Sequence, residues 1–82
     1  MSKYIVYILR TNKNTLYTGQ TNDLEKRLAK HRSGRGAKYM KCFESFELVY
    51  TEQFETLSEA LKREYEIKQM TKANKEALIV KV

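Results

Sequence analysis

The stretch YIVYILRTNKNTLYTG, residues 4–19, joins an apolar run to a second, shorter apolar segment through a turn-rich sequence. The almost continuously apolar Tyr4–Leu9 predicts a strand that is buried on both faces. Thr15–Thr18 is predicted to be its shorter hairpin partner. Antiparallel pairing with a reversal in the middle of the turn then sets Tyr7 opposite Tyr17 or one step from it. Two phenol groups are therefore expected side by side on neighbouring strands.

A basic helix is predicted directly after this hairpin, from about Asp23 to Arg32. Asn22 is expected to be its N-cap, with Glu25 in the reciprocal position of a capping box. The glycine-containing basic stretch Arg35–Lys41 is expected to be a loop with a short helix.

The second half of the chain predicts one strand and two helices. Apolar and polar residues alternate over Phe46–Phe54, which is typical of a strand with one face more buried than the other. A helix is expected to begin at Thr56, whose spacing to Glu59 suits a capping box, and to run through Lys68. A short amphipathic helix is predicted over Thr71–Leu78, and the apolar residues within 79–82 are expected to close the core.

Composition limits the classes of protein to consider. The 82 residues, 41% hydrophobic and without proline, predict one small domain spanning residues 1–82. Its expected fold class is α+β, a small three-stranded antiparallel sheet flanked by helices. The lone Cys42 is expected to be a small core residue, and no apolar run approaches the ~20 residues of a membrane span, so a cytoplasmic location is expected.

The net charge is +6, from sixteen Lys plus Arg against ten Asp plus Glu. Such a surplus favours a polyanionic partner, and nucleic acid is the natural candidate. An excess of lysine can equally serve solubility alone, so the positions of the charges must decide between these interpretations.

The order of residues along the chain resembles that of the GIY-YIG endonuclease superfamily. The residues that carry the resemblance are Tyr7, then Tyr17-Thr18-Gly19, then Arg27 and His31 on one helix, and then a later helical Glu64. The likeness covers nearly the whole chain and extends to the nuclease module of the excinuclease C subunit. Where the first family motif has glycine before its tyrosine, this chain has Ile5-Val6-Tyr7, and its second motif has Thr18 between the tyrosine and the glycine.

This resemblance implies metal-dependent hydrolysis of phosphodiester bonds by a structure-specific DNA endonuclease, with a role in DNA repair or recombination. The catalytic residues that it implies are Tyr7, Tyr17, Arg27, His31 and Glu64. Glu64 is expected to bind a single Mg²⁺ or Mn²⁺ ion, and Arg27 to stabilise charge on the phosphate oxygens. Either tyrosine could deprotonate the attacking water, provided that cationic neighbours lower the pKa of the phenol from its usual value near 10.

Glu64 on the later helix also has a purely structural interpretation. Projection at about 100° per residue puts Glu64 near the centre of a buried arc formed by Leu57, Ala60 and Leu61. An unpaired carboxylate is costly there, which indicates a metal or another partner. Lys68 lies four residues further on and could instead pair with Glu64.

The same projection on the first helix sets His31 between Leu24 and Leu28 and puts Arg27 at the edge of that apolar arc. A histidine in such a position can be a hydrogen-bonded packing residue, and Arg27 an ordinary surface cation. The resemblance also implies a polar residue near the site from the last helix; Asn74 is the candidate, and an exposed helical asparagine is the alternative.

A second group of basic residues follows on and after the first helix. They are expected to bind phosphates without reading bases, and charge reversal at Arg35 and Lys38 should flatten the salt dependence of binding. These residues would also suffice for a catalytically weak nucleic-acid-binding module, and a partner-dependent subunit is a further alternative. Junction-cleaving relatives work with a partner, so a protein partner that supplies substrate specificity is a further expectation; DNA is expected over RNA. The five expected nucleic-acid contacts are Lys30, Arg32, Arg35, Lys38 and Lys41.

Overall fold

The computed structural model describes residues 3–32 and 45–80 of the chain. Three strands form one antiparallel sheet in the order β2-β1-β3, with three helices around it. The α+β class and the three-stranded sheet expected from the sequence are thereby confirmed. The elements are β1 (Tyr4–Thr11), β2 (Leu16–Thr21), α1 (Leu24–Arg32), β3 (Phe46–Phe54), α2 (Leu57–Lys68) and α3 (Lys72–Val80).

The central strand β1 is buried on both faces, as its continuous apolar sequence predicts. Val6 and Ile8 pack with residues of α2 in one cluster. Tyr7 and Leu9 point to the other face, where they pack with residues of α1. All four side chains are fully buried. The sheet therefore lies between α1 and α2, and the middle of β1 is covered on both faces.

The hairpin between β1 and β2 has a three-residue loop in which Asn14 adopts a φ of 62°. The Thr11 amide donates to the Thr15 carbonyl at 2.9 Å, and the Asn14 amide donates to the Thr11 carbonyl at 2.9 Å. This is the three-residue hairpin with a left-handed last residue, and asparagine tolerates that conformation. Both strands extend beyond the predicted ranges, and Tyr7 pairs with Gly19, not with Tyr17 or its neighbour.

The N-cap of α1 is Asp23, and the prediction of Asn22 was wrong by one residue. The Asp23 carboxylate accepts a hydrogen bond from the Lys26 amide at 3.1 Å. The hydroxyl of Thr21 in turn accepts one from the Asp23 amide at 3.0 Å. This carboxylate satisfies one of the free amides of the first turn, so the helix begins at Leu24.

The predicted capping box of α2 is present, and the predicted buried arc is right for Ala60 and for the inward side of Glu64 but wrong for the two leucines. Ala60 and Ile67 are buried, whereas Leu57 and Leu61 are 43% and 45% exposed. The guanidinium of Arg63 forms two 3.0 Å hydrogen bonds with the Glu52 carboxylate on β3.

Ala60 and Ile67 are the residues of α2 that pack into the core, and the Arg63–Glu52 ion pair lies beside them, so Leu57 and Leu61 face outward. The helical period fixed which residues share a face, but it did not fix which face turns toward the sheet.

The last helix, α3, is held to the hairpin by ionic contacts. Arg10 and Glu76 form a two-pronged ion pair with distances of 2.6 and 2.7 Å. Ile79 packs against the core, but Val80 is exposed, so only part of the predicted core closure by 79–82 is observed. Residues 81–82, the Arg35–Lys41 stretch and Cys42 lie outside the described residues. Within the described ranges, no helix has the length and apolar character needed to cross a membrane.

Candidate active site

The side chain of Tyr7 crosses the edge strand β2 at a glycine. A Cβ atom added to Gly19 would lie 2.5 Å from the Tyr7 hydroxyl oxygen and 2.7 Å from its Cζ. No other residue leaves that space open, because every other side chain begins with a Cβ. Gly19 therefore leaves room for the phenol ring of Tyr7, on the central strand, to lie across β2.

Tyr7, Tyr17 and His31 form one aromatic cluster on the α1 face of the sheet. The ring centroids of the two tyrosines are 6.5 Å apart, and the centroid of Tyr17 is 5.6 Å from that of His31. The Tyr7 hydroxyl shares a hydrogen bond with His31 Nε2 at 3.2 Å. The two tyrosines lie diagonally across the strand pair, on the same face, because Tyr17 pairs with Leu9.

Arg27 on α1 lies beside the Tyr7 hydroxyl. Burial, followed by the proximity of Tyr17, raises the pKa of Tyr7 from 10.0 to about 12, although the charge and N–H groups of Arg27 act in the opposite direction. Desolvation of the phenolate therefore outweighs the guanidinium. The condition set for a tyrosine base, that cationic neighbours lower the pKa of the phenol, is therefore not met at Tyr7, because burial acts against it.

His31 is buried, as the projection of α1 predicts, with only 4% of its surface exposed. Burial lowers the pKa of His31 below its ordinary 6.5, and the positive charges of Arg27 and Lys30 lower it further. The imidazole is therefore neutral at pH 7 and one of its ring nitrogens is a hydrogen-bond acceptor. The imidazole of His31 also packs edge-on with the ring of Phe46, with 5.9 Å between ring centroids. The sequence did not predict this contact.

Glu64 on α2 approaches the Tyr7 hydroxyl from the other side of β2. Its negative charge contributes to the raised pKa of Tyr7, so the carboxylate lies within electrostatic range of the phenol. Its side chain is 18% exposed and is paired with the Lys68 ammonium at 3.1 Å, the structural alternative foreseen from their spacing. No group of three or more His, Cys, Asp and Glu side chains suited to a metal occurs among the described residues.

Two of the five predicted phosphate-binding residues, Lys30 and Arg32, lie in the described part of the chain, and their surroundings differ. Lys30 lines a cavity of about 200 Å³ together with Arg27 and Lys26. Arg32 lies over the ring of Phe46 instead, with 5.7 Å between Cζ and the ring centroid. Arg35, Lys38 and Lys41 lie outside the described residues, so their expected effect on salt dependence remains a prediction. Asn74 is exposed on α3, which is the alternative foreseen for it.

Sequence reasoning quoted Gly19 within a motif but missed its physical role. A glycine inside a predicted strand is itself a signal, because it often marks the close approach of another group. Phe46 and Leu57 were missed as neighbours of the site because both were assigned only to the core. Their positions depend on how β3 and α2 lie against the hairpin.

The site thus combines a strand-borne tyrosine, a second tyrosine on the neighbouring strand, and an arginine and a glutamate on flanking helices. The model of the GIY-YIG catalytic domain matches residues 3–77. The chain therefore belongs to the GIY-YIG family of nucleases.

Curated relatives and solved structures agree with this assignment. A UPF0213 protein from Staphylococcus saprophyticus is 51% identical over 79 residues, which cover 96% of each chain. The solution NMR structure of the UPF0213 protein BH0048 from Bacillus halodurans has a TM-score of 0.62 at 42% identity, covering 94% of this chain and 82% of that one. That of protein EF2693 from E. faecalis has a TM-score of 0.67 at 37% identity, covering 99% and 85%.

Proposed function

We propose that this protein hydrolyses phosphodiester bonds of nucleic acid, with DNA as the preferred substrate and a single Mg²⁺ or Mn²⁺ ion as cofactor. The observation that carries the proposal is the meeting of three groups at the edge of β2. The Tyr7 hydroxyl passes over Gly19 to this edge, where it has the Arg27 guanidinium beside it and the Glu64 carboxylate within electrostatic range. Phosphodiester hydrolysis needs an activated water, a cation that stabilises charge on the nonbridging oxygens and a Lewis acid at the leaving oxygen, and the phenol, the guanidinium and a metal held by the carboxylate can fill these roles.

The residues present fit a hard divalent cation. Mg²⁺ commonly keeps several waters and uses only one or two protein carboxylates together with substrate phosphate oxygens. Glu64 supplies one such carboxylate and would hold the ion once the Lys68 ammonium moves aside; Lys68 is exposed enough to do so. When bound, the ion supplies Lewis-acid stabilisation of charge on the phosphate and the leaving oxygen.

Arg27 is the group that binds the phosphate. It borders solvent-filled cavities on two sides, so a nonbridging phosphate oxygen can reach its N–H groups. The guanidinium is planar and permanently charged, which suits it to the charge that grows on those oxygens in the transition state.

In the proposed reaction Tyr7 and His31 together accept the proton of the attacking water, which requires that substrate binding open the buried Tyr7 hydroxyl to that water. The reaction forms a bond from the water oxygen to phosphorus and breaks the bond to the leaving oxygen, which takes a proton from solvent. A phenol with a pKa near 12 is a poor base unless its own proton can leave. His31 Nε2 at 3.2 Å can take that proton while Tyr7 accepts one from the water. Tyr17 then orients the water and packs the imidazole.

A second candidate function is a nucleic-acid-binding module without activity. The Glu64–Lys68 ion pair favours it, because a neutralised carboxylate has less attraction for a cation. A protein partner that brings the substrate and displaces Lys68 would reconcile the two functions, and a role in DNA repair or recombination would follow from such a partner.

The test is cleavage of DNA flaps, junctions, duplexes and single strands, and of matched RNA, with Mg²⁺ or Mn²⁺. We expect Arg27→Ala to lower the single-turnover rate by about 100-fold or more, which is ~3 kcal/mol of transition-state stabilisation. Binding should fall only modestly, since one phosphate contact among many adds little to affinity.

Lys62→Ala is the matched control, because it removes one exposed positive charge from α2 and should leave the rate unchanged. Binding without cleavage on every substrate and metal would establish the binding module instead. Equal cleavage by Arg27→Ala would make that arginine an ordinary surface cation.

A further inference from the structure

A second cavity adjoins Arg27 on the side away from Lys30. It measures about 280 Å³ and lies where the end of β2, the start of β1 and the first turn of α2 come together. Because Arg27 lines both cavities, a ligand in this one would lie directly beside a phosphate bound to the guanidinium. The residues that line it are Tyr4, Gln20, Thr21, Asn22, Arg27 and Leu57.

Apart from Arg27 and the Tyr4 hydroxyl, the polar part of the lining consists of two side-chain amides and Thr21. Within the described part of the chain, neither Gln20 nor Asn22 makes a side-chain hydrogen bond, although each amide offers two N–H donors and one acceptor oxygen. The other polar side chain, Thr21, has its hydroxyl engaged with the backbone of Asp23. The amides are thus available to a ligand that carries donors and acceptors in one plane.

The apolar part of the lining is an aromatic ring and an exposed leucine. Tyr4 is half-buried, and Leu57 at the beginning of α2 is 43% exposed. Both side chains leave apolar surface in contact with water that a flat ligand could cover. A ring stacked there would have its edge toward the amides.

We propose that this cavity binds one nucleobase, that of the nucleotide next to the phosphate held by Arg27, and that Gln20 and Asn22 determine the preferred base. The proposal rests on the proposed function for its substrate. Apolar walls for the faces of a ring, amides for its edge and a guanidinium at the rim for the phosphate match the three parts of a nucleotide. The volume lies just below the usual range of about 300–1,000 Å³ for small-molecule sites, which suits a single base.

The first test measures binding apart from cleavage. Adenosine, guanosine, cytidine and thymidine 5′-monophosphates are titrated into the protein while the side-chain NH₂ signals of Gln20 and Asn22 are followed by NMR. Deoxyribose 5′-phosphate, which has the phosphate without the base, is the control probe. We expect the NH₂ signals to shift with nucleotides and not with the sugar phosphate. Equal shifts with both probes, or no shift with any, would overturn the proposal.

The second test measures preference during cleavage. Single-turnover cleavage rates are compared on substrates that differ in each base beside the cleaved bond, and one substrate has an abasic site there. We expect Gln20→Leu to change the base preference at one position by about tenfold, the contribution of one good hydrogen bond. We expect Leu57→Ser to lower the cleavage rate for every base toward the rate of the abasic substrate. The matched controls are Gln53→Leu and Leu48→Ser on β3, an exposed amide and a 40% exposed leucine on the opposite edge strand.

The outcomes separate this proposal from the proposed function. If the protein cleaves but Gln20→Leu keeps the wild-type preference, the nucleobase site is wrong and the nuclease stands. If nothing is cleaved and the NH₂ signals still respond to nucleotides alone, the nucleobase site stands and the nuclease is wrong.

Discussion

The ring of Tyr7 lies across the backbone of Gly19, its antiparallel partner on β2. This contact lets a side chain of the central strand, fully enclosed by its neighbours, reach the edge where Arg27 and Glu64 approach. Gly19 is thus needed because it leaves room for the phenol ring, and not because its backbone adopts a conformation that favours glycine. The contact couples the fold of the sheet to the placement of a reacting group.

Gly19→Ala should therefore destabilise the protein and slow cleavage. The new Cβ would lie 2.5 Å from the Tyr7 hydroxyl oxygen, and the fully buried ring has no free space to move into. We expect a loss of about 1–3 kcal/mol in the free energy of unfolding, as for other overpacked sites. Urea denaturation measures it. In a Tyr7→Leu background the same change should cost little; an equal cost in both backgrounds would show that the ring is not the obstacle.

Thr18→Val should stabilise the protein. The Thr18 hydroxyl is buried and has no hydrogen-bond partner among residues 3–32 and 45–80. Replacing an unsatisfied hydroxyl by a methyl of similar shape should raise the free energy of unfolding by about 1 kcal/mol. Thr21→Val is the matched control, because the Thr21 hydroxyl is buried yet bonded to the backbone of Asp23. It should destabilise by a similar amount, and stabilisation by both changes would refute the argument.

Lys68→Gln should strengthen the binding of Mn²⁺. The Lys68 ammonium lies 3.1 Å from the Glu64 carboxylate and competes with a cation for it. Since an exposed pair of this kind is worth about 0.5 kcal/mol, the expected gain in affinity is roughly two- to threefold. Mn²⁺ titration with NMR line broadening of α2 signals measures it. Glu64→Gln should abolish the broadening, and Lys62→Gln controls for the general loss of one positive charge; broadening that persists without Glu64 would place the ion elsewhere.

The parts of the fold that local sequence specifies were predictable, and the parts that depend on distant contacts were not. The buried strand β1 and the capping box at Thr56 follow from neighbouring residues. The hairpin register depends on the left-handed conformation of Asn14, which adds a residue to the loop. The orientation of α2 follows from the packing of Ala60 and Ile67 against β1, a contact between two elements distant in sequence.

For the candidate site too, some features were predictable from the sequence and others depend on the packed structure. The family motifs supplied the residue types, and the helical projection supplied the inward direction of His31. The pKa of Tyr7 was beyond sequence reasoning, because it reflects a balance between burial and the Arg27 charge that only the packed structure sets.

His31 should make the stability of the protein depend on pH just below neutrality. The pKa of His31 is lowered in the folded protein, first by burial and then by the charges of Arg27 and Lys30, from an ordinary value of 6.5. Below pH 6.5 the unfolded chain therefore binds a proton that the folded protein resists, so the unfolded state gains relative stability as the pH falls. The free energy of unfolding should be constant above this pH and should decrease below it, down to the lowered pKa of the folded state.

Two measurements check this expectation. The chain has one histidine, so a single imidazole Cε1 proton signal reports its titration directly, and its midpoint should lie below 6.5. Urea denaturation between pH 7 and pH 5 should show the loss of stability in wild type and a flat profile in His31→Phe. The carboxyl groups of Glu52 and Glu76, whose pKa values are held below 4.5, titrate beneath this window. A midpoint at or above 6.5 would refute the lowered pKa of His31. A midpoint above 7 would mean that His31 is mostly charged at pH 7, where Tyr7 needs it neutral, and the proton transfer from the phenol to the imidazole would then be wrong.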